Sequence, residues 1–272
     1  VTFSVQVKDD SATATNTSTP ATITLTIDGT NDTPTVSNVA VNVSESTFAD
    51  VSGMSNLVYT STTSLTASDV DATDTYTFAK SNFAGTTGEV GLQVSLVQSD
   101  ALFMQAYNAA KLGSPVAFTA LKAAFLELIS TPAIAAIVGA SATLSTLTAD
   151  ITSASDFATL INVINANSAL SLSATTTSVT VTAEATAAQT ATLESIGAIN
   201  ITVNTDGTYS LSTPLVNNLA EGEVAIITFG YTATDNSGTA TATSDVKTVS
   251  LTVTGTNDTP TVSDVAVNVS ES

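Results

Sequence analysis

Apolar and polar residues alternate along much of this chain, and a period of two is the pattern of β-strands that bury one face. Segments with this pattern recur from one end of the sequence to the other: 1–7, 23–27, 39–43, 60–67, 76–78, 90–96, 170–172, 179–181, 199–203, 209–211, 227–231 and 249–253. Turn-forming residues separate them. Many short strands with turns between them predict a mainly β fold, built as an antiparallel β-sandwich.

The period changes from two to roughly 3.6 between residues 100 and 167, which indicates helices. Ser114-Pro115 places a capping residue before a proline at the first helical position, and Thr131-Pro132 repeats this arrangement,. Ser153 or Ser155 can cap a third helix. We therefore expect a small α-helical insertion, at about 100–167, within the β domain.

The helix expected after Pro115 has one apolar face, which raises the question of what covers it. Apolar residues at helical spacing usually belong to a core. An insertion into a repeat unit is also a place where binding faces arise. Both interpretations apply to the same side chains: Phe118, Leu121, Phe125, Leu128 and Ile129.

The chain contains an internal repeat. The segment Gly29 to Ser37 returns unchanged as Gly255 to Ser263, at an offset of 226 residues, and 39–46 returns as 265–272. Such a repeat indicates a section of a tandem array. We expect residues 1–31 to be the last strands of a preceding unit, 32–257 one complete unit, and 258–272 the first strand of the next.

Charge narrows the possible partners. The net charge is −19, from 24 acidic residues against 5 lysines, with no His. This balance argues against nucleic acids and anionic membranes as partners, since both require cationic side chains, and it favours metal cations. The hydrophobic content of 43% argues against a disordered chain,.

Membrane insertion is not expected either. The most apolar region, 123–147, is interrupted by Glu127 and Pro132. Its longest uninterrupted apolar run, 133–140, is far shorter than the roughly 20 residues that a spanning helix needs.

Several motifs together resemble the VCBS and cadherin-like tandem repeats of giant, RTX-like bacterial adhesins. These motifs are the Gly-Thr-Asn-Asp-Thr-Pro junction, the Asp-x-Asp turn at Asp69, the Asp-Gly-Thr-Tyr hairpin at Asp206 and the Thr-Asp-Asn segment at Thr234. The resemblance covers 39–78 and 199–260 and leaves out the helical region. It implies an immunoglobulin- or cadherin-like sandwich on a secreted, extracellular or cell-surface protein, with Ca²⁺ bound between units.

Residue chemistry leads to the same metal. Calcium takes six to eight oxygen ligands in irregular geometry, and the spacing Asp69-x-Asp71-x-x-Asp74 can direct several oxygens to one point. With the resemblance, this predicts one site between units and half of a second site at the next junction. The expected ligands of the first site are Asn31, Asp32, Glu45, Asp69, Asp71 and, from the preceding unit, Asp9. Those expected for the second are Asn257, Asp258 and Glu271.

Other interpretations of these acidic residues remain open. Asp and Asn are ordinary turn formers that hydrogen-bond their own backbone, which applies to Asp69 and Asp71 and equally to Asp74, Asp206 and Asp235. The pair Glu221 and Glu223 imitates the two carboxylates of a glycosidase, although acidic pairs in surface loops are usually only solvated.

Two functions follow from this sequence. The first is a calcium-stiffened structural and adhesive repeat, which is not an enzyme and whose partners are neighbouring repeats of its own chain. The second is a unit of an extracellular filament or sheath, in which the helical insertion contacts other copies of the protein. A carbohydrate-active enzyme or lectin ranks last, because the chain has no Trp and only 5% aromatic residues.

Overall fold

The computed structural model describes residues 1–50, 57–85, 88–139 and 144–257. Helices form 28% of the structure and strands 36%, so the fold is mixed α/β. The prediction of a mainly β, immunoglobulin- or cadherin-like antiparallel sandwich with a small helical insertion is therefore wrong. The largest sheet is itself mixed, because one of its strand pairs is parallel.

Most of the strands are short. The longest described strand ends at Asp235 and pairs with three others. In chain order the strands are β1 (Thr2–Val5), β2 (Ala21–Thr24), β3 (Thr35–Val36), β4 (Val39–Ser44), β5 (Ala49–Asp50), β6 (Leu57–Thr60), β7 (Ala67–Ser68), β8 (Tyr76–Ser81), β9 (Phe83–Gly85), β10 (Gly88–Val90), β11 (Leu92–Gln98), β12 (Leu170–Ala174), β13 (Val179–Ala185), β14 (Asn200–Val203), β15 (Tyr209–Thr213), β16 (Val224–Asp235) and β17 (Lys247–Thr254).

Among the residues that the structure describes, five α-helices lie between β11 and β12, and a sixth follows β13. The helices are α1 (Ala101–Lys111), α2 (Pro115–Ser130), α3 (Pro132–Gly139), α4 (Leu144–Ser153), α5 (Phe157–Ala166) and α6 (Ala187–Ser195). Ser114 Oγ accepts a hydrogen bond from the N–H of Ala117, and Pro115 is the first residue of α2, which confirms that predicted helix start.

Helix α6 lies outside the region in which helices were expected. It begins with a capping box, in which Thr186 accepts from the N–H of Gln189 and the side chain of Gln189 accepts from the N–H of Thr186. Its sequence lacks a strong apolar period. The capping residues were the available signal for this helix.

A seven-stranded sheet connects both ends of the unit. Six strands follow the order β12-β13-β11-β16-β17-β4, and β8 pairs with β16 beyond the end of β11. Strand β4 runs parallel to β17, with Val39 opposite Val249 and Ser44 opposite Thr254. The first long strand of the unit therefore ends at the same edge of the fold as the last one.

One face of this sheet is apolar, and two layers cover it. The four-stranded sheet β14-β15-β6-β5 covers one part, where the ring centroids of Tyr209 and Phe229 lie 5.8 Å apart. Helices α3 and α6 lie against β13, and α5 lies against β12. Four of the five side chains on the apolar face of α2 are buried in this core, while Phe118 is half-buried. Because strands and helices share one core, the helices are an integral layer of the fold.

The N-terminal hairpin β1–β2 repeats the pairing of β16 and β17. Phe3 is opposite Ile23, and Phe229, which lies 226 residues later, is opposite Val249. The packing differs, since Phe3 is 50% exposed and Phe229 is 0% exposed. The hairpin thus has the strand pairing of a complete unit without the layers that bury its apolar face.

Candidate metal centre

Three aspartates from two distant parts of the sequence meet at the end of the unit next to the linker. Asp69 and Asp74 lie in the turn between β7 and β8, and Asp235 is the last residue of β16. The antiparallel pairing of β8 with β16 places Tyr76 opposite Asp235, which brings the turn before β8 beside the end of β16. One carboxylate oxygen from each aspartate lies within 4.8 Å of the others. We call these three residues the aspartate cluster.

Two oxygens of the aspartate cluster are buried without a hydrogen-bond donor. These are Asp69 Oδ2 and Asp74 Oδ2, for which the described part of the structure contains no partner. Asp235 is 6% exposed, and it accepts hydrogen bonds from the N–H of Ser237 at 2.8 Å and from Asn31 Nδ2 at 3.1 Å. A buried carboxylate oxygen without a donor is costly, and a bound cation removes that cost.

The electrostatics of Asp74 reflect this crowding. Burial raises the pKa of its carboxyl, and the negative charges of Asp235, Asp71 and Asp69 raise it further. Burial and the same carboxylates also raise the pKa of the neighbouring Tyr76 hydroxyl. The protein therefore disfavours the ionised form of Asp74 in the absence of a positive charge.

The pKa of Asp235 shifts in the opposite direction to that of Asp74. Its hydrogen bonds with Ser237 lower the pKa of its carboxyl, against the effect of burial, and the hydrogen bond from Asn31 lowers it further. No lysine neutralises the cluster, because the salt bridge found among the described residues joins Lys80 to Glu194. Asp235 therefore remains an anion that hydrogen-bond donors hold in place.

The linker lies directly against these carboxylates. Asn31 donates to Asp235, and its backbone carbonyl accepts a hydrogen bond from Thr241 Oγ1 at 3.3 Å. The N–H of Asp32 donates to Asp71 Oδ2 at 2.9 Å, and the N–H of Asp71 donates to Asp69 Oδ1 at 3.2 Å. Of the expected ligands, Asn31, Asp32, Asp69 and Asp71 thus lie together.

Glu45, another expected ligand, lies at the opposite end of the unit. It follows β4, whose six residues carry the chain roughly 20 Å away from the linker,. Glu45 is 4% exposed, and its Oε2 accepts a hydrogen bond from the N–H of Thr256 at 2.9 Å. The structure therefore groups Glu45 with the second junction, where the exposed Asn257 ends the described residues. The other two ligands expected there, Asp258 and Glu271, lie outside the described residues.

Asp9 does not join the aspartate cluster either. Its carboxylate accepts from the N–H of Ser11 at 2.9 Å, which reproduces the bond between Ser237 and Asp235. Hydrogen bonding with the Ser11 side chain, and then with its backbone, lowers the pKa of Asp9. Asp9 occupies, 226 residues earlier, the position that Asp235 occupies in the complete unit. By this equivalence, Asp9 corresponds to the linker-proximal end of the preceding unit, one unit away from the cluster described here.

Asp74 and Asp235 were not among the ligands expected from the sequence, where a role as ordinary turn residues stayed open for both, although both belong to the cluster. The signal for Asp235 was present in the repeat, because Asp9 and Asp235 share the same position in two turns of the form Asp-x-Ser. The signal for Asp74 was its spacing of five residues from Asp69. Only the pairing of β8 with β16 brings the two turns together.

Comparison of the chain with protein-family models, with curated proteins and with solved structures finds no match. No helix within the described ranges has both the length and the apolar character that crossing a membrane requires.

Proposed function

We propose that this chain is part of a calcium-stiffened tandem array on the surface of a bacterial cell, with structural and adhesive roles. The aspartate cluster is the proposed calcium site. The observation that carries this proposal is that three carboxylates converge within 4.8 Å while two of their buried oxygens have no donor among the described residues. Turn formation alone does not require carboxylates from two separate turns to converge.

Calcium fits this cluster better than other common cations. It holds oxygen ligands at about 2.3–2.6 Å, so that two oxygens on opposite sides of one ion are about 5 Å apart. A spread of up to 4.8 Å falls within that range. Magnesium demands shorter distances of about 2.0–2.1 Å and near-octahedral geometry. Zinc prefers His and Cys ligands, and the sequence contains neither,.

Stiffening follows from the position of the linker. Asn31 donates to Asp235 of the cluster, and the N–H of Asp32 donates to Asp71, which lies in the same turn as Asp69 and Asp74. A cation that fixes the cluster therefore also restrains the segment that leads into the unit. Without a cation, the repulsion among the carboxylates weakens that arrangement. Sites in extracellular proteins function with dissociation constants of about 10⁻⁴ to 10⁻³ M. A site of that affinity would fill outside the cell and stay empty inside it, in keeping with the secreted location that we propose.

Two measurements on the full chain test this proposal. Isothermal titration calorimetry with Ca²⁺ should show binding that Asp69→Asn abolishes and Asp206→Asn preserves. Asp206 is a matched control, because its carboxylate accepts hydrogen bonds from Thr208 within its own turn. Small-angle scattering should then show that Ca²⁺ fixes the β1–β2 hairpin relative to the unit and that a chelator reverses this effect. Absence of calcium binding refutes the proposed site, whereas binding without a change in scattering refutes the stiffening.

A further inference from the structure

The turn between α1 and α2 presents an apolar tip to solvent. Leu112 is 89% exposed and Val116 is 83% exposed, and Lys111 precedes them at the end of α1. Gly113 adopts a φ of +92°, and the N–H of Ser114 bonds to the carbonyl of Ala109, which closes α1 tightly,. Ser114 also caps α2, so both helices fix the conformation of this tip.

A cleft with an apolar floor and two carboxylates lies at the other end of α1. It has a volume of about 220 Å³ and lies between helices α1 and α2 and the seven-stranded sheet. Leu96, Phe103 and Leu128 are among its apolar lining residues. Glu127, which is exposed, and Glu223 add two carboxylates, and the lining contains no lysine.

The size and charge of the cleft favour a protein side chain as its occupant. Sites for small molecules usually measure about 300 to 1,000 Å³, which is larger than this cleft. An aliphatic side chain next to a cation matches an apolar floor with two carboxylates, and the tip offers this combination in Lys111 and Leu112. Lys111 forms no salt bridge among the described residues.

The tip cannot reach the cleft of its own unit. Phe103 lines the cleft and Leu112 forms the tip, and nine residues of a rigid helix hold the two about 14 Å apart. The matching tip must therefore come from another copy of the unit.

We propose that the α1–α2 tip of one copy inserts Leu112 into the cleft of a second copy, with Lys111 facing Glu127 and Glu223. The contact joins two different surfaces, the tip of one copy and the cleft of another. In the head-to-tail arrangement, every joined pair still has one free tip and one free cleft, so the contact extends into open assemblies where the rotation does not close. In a tandem array, repeated weak contacts of this kind would join neighbouring chains side by side. The contact does not involve the aspartate cluster and is independent of the proposed calcium site.

Sedimentation velocity over a concentration series of the full chain, up to about 1 mM, tests this contact. The wild-type chain should self-associate. Leu112→Ser on the tip and Glu127→Lys at the cleft should each weaken association at least about tenfold, through the loss of a buried leucine and through like-charge repulsion. Ile196→Ser is the matched control, because Ile196 is an exposed apolar residue remote in sequence from the tip and absent from the cleft lining.

Mixing the two variants distinguishes the contact from a general loss of folding. The Leu112→Ser chain keeps an intact cleft and the Glu127→Lys chain keeps an intact tip, so an equal mixture should form dimers and nothing larger. Circular dichroism should show the same folded structure in every variant. The proposal is overturned if the wild type stays monomeric, if either variant associates as the wild type does, or if the mixture stays monomeric. Association that instead responds to Phe3→Ser would assign self-contact to the exposed β1–β2 hairpin and would also overturn it.

Discussion

Asn31 donates a hydrogen bond from Nδ2 to the carboxylate of Asp235 at 3.1 Å, although 204 positions separate the two residues in the chain. Asn31 belongs to the linker before the unit, and Asp235 ends the longest strand of its central sheet. Asp235 also lies within 4.8 Å of the carboxylate oxygens of Asp69 and Asp74. The proposed cation site and the linker therefore meet at the side chain of Asp235.

Replacement of Asp235 tests this coupling most directly. Asp235→Asn keeps an oxygen that can accept from Ser237 but removes one negative charge from the cluster, and calcium affinity depends on the charge of the ligands. We expect the affinity for Ca²⁺, measured by calorimetry, to fall at least about tenfold. The change in small-angle scattering with calcium should disappear at concentrations that saturate the wild type.

Asp9→Asn is the matched control for this variant. Asp9 forms the equivalent turn, with the N–H of Ser11 donating to its carboxylate, but it lies outside the aspartate cluster. Calcium affinity should remain that of the wild type. An equal loss in both variants would mean that the Asp-x-Ser turn, rather than the cluster, determines binding.

Asp74→Asn should have opposite effects with and without calcium. Burial and three neighbouring carboxylates raise the pKa of Asp74, so the folded state resists its ionisation. In chelator at neutral pH the variant should unfold at a higher temperature than the wild type, because it lacks the disfavoured charge. With saturating calcium the wild type should be the more stable protein, because it keeps the full ligand set.

The stability difference between Asp74→Asn and the wild type in chelator should depend on pH in a defined direction. A carboxyl with a raised pKa in the folded state destabilises the fold above that pKa, and this effect vanishes below its ordinary value of 3.8,. In chelator, the stability advantage of Asp74→Asn should therefore shrink as the pH falls towards 3.8. Thermal unfolding of the wild type and of Asp74→Asn, measured between neutral pH and about pH 3.8, determines this stability difference. An advantage that does not change with pH would mean that the charge of Asp74 is not its cause.

The residues that the sequence predicted correctly are those whose signals are local. The cap at Ser114 and the proline at Pro115 define the start of α2 by themselves. The fold class was not predictable in this way. The parallel pairing of β4 with β17 joins residues 210 positions apart, and the common core of helices and strands depends on contacts that no local pattern contains.

In the candidate site, too, local spacing could be read from the sequence, whereas long-range contacts could not. Asp69, Asp71 and Asp74 share one turn, so their spacing alone predicted that these side chains lie close together. Asp235 reaches the site only because β16 pairs with β8. The resemblance placed Glu45, at the end of the first strand, at this site, but the direction of β4 carries it to the opposite end of the unit.

The internal repeat provides a matched test of stability. Phe229 is 0% exposed beneath the four-stranded sheet, whereas its equivalent Phe3 is 50% exposed on the hairpin. Phe229→Ala should lower the free energy of unfolding of the unit by about 3–5 kcal/mol. Phe3→Ala should change it by less than about 0.5 kcal/mol, as surface substitutions usually do. Urea unfolding followed by circular dichroism compares the two, and equal losses would mean that the hairpin is packed into the unit.

Glu45 distinguishes the two ends of the unit. Its buried carboxylate accepts hydrogen bonds from the N–H and the hydroxyl of Thr256, and bonds to a charged acceptor contribute about 1.5–3 kcal/mol,. Glu45→Ala should therefore destabilise the fold by that amount and leave calcium binding at the aspartate cluster intact, since roughly 20 Å of strand separates the two. Glu221→Ala, at an exposed glutamate, should change neither property. If Glu45→Ala instead weakened calcium binding as much as Asp235→Asn is expected to, Glu45 would be a ligand of the cluster. The direction assigned to β4 would then be wrong.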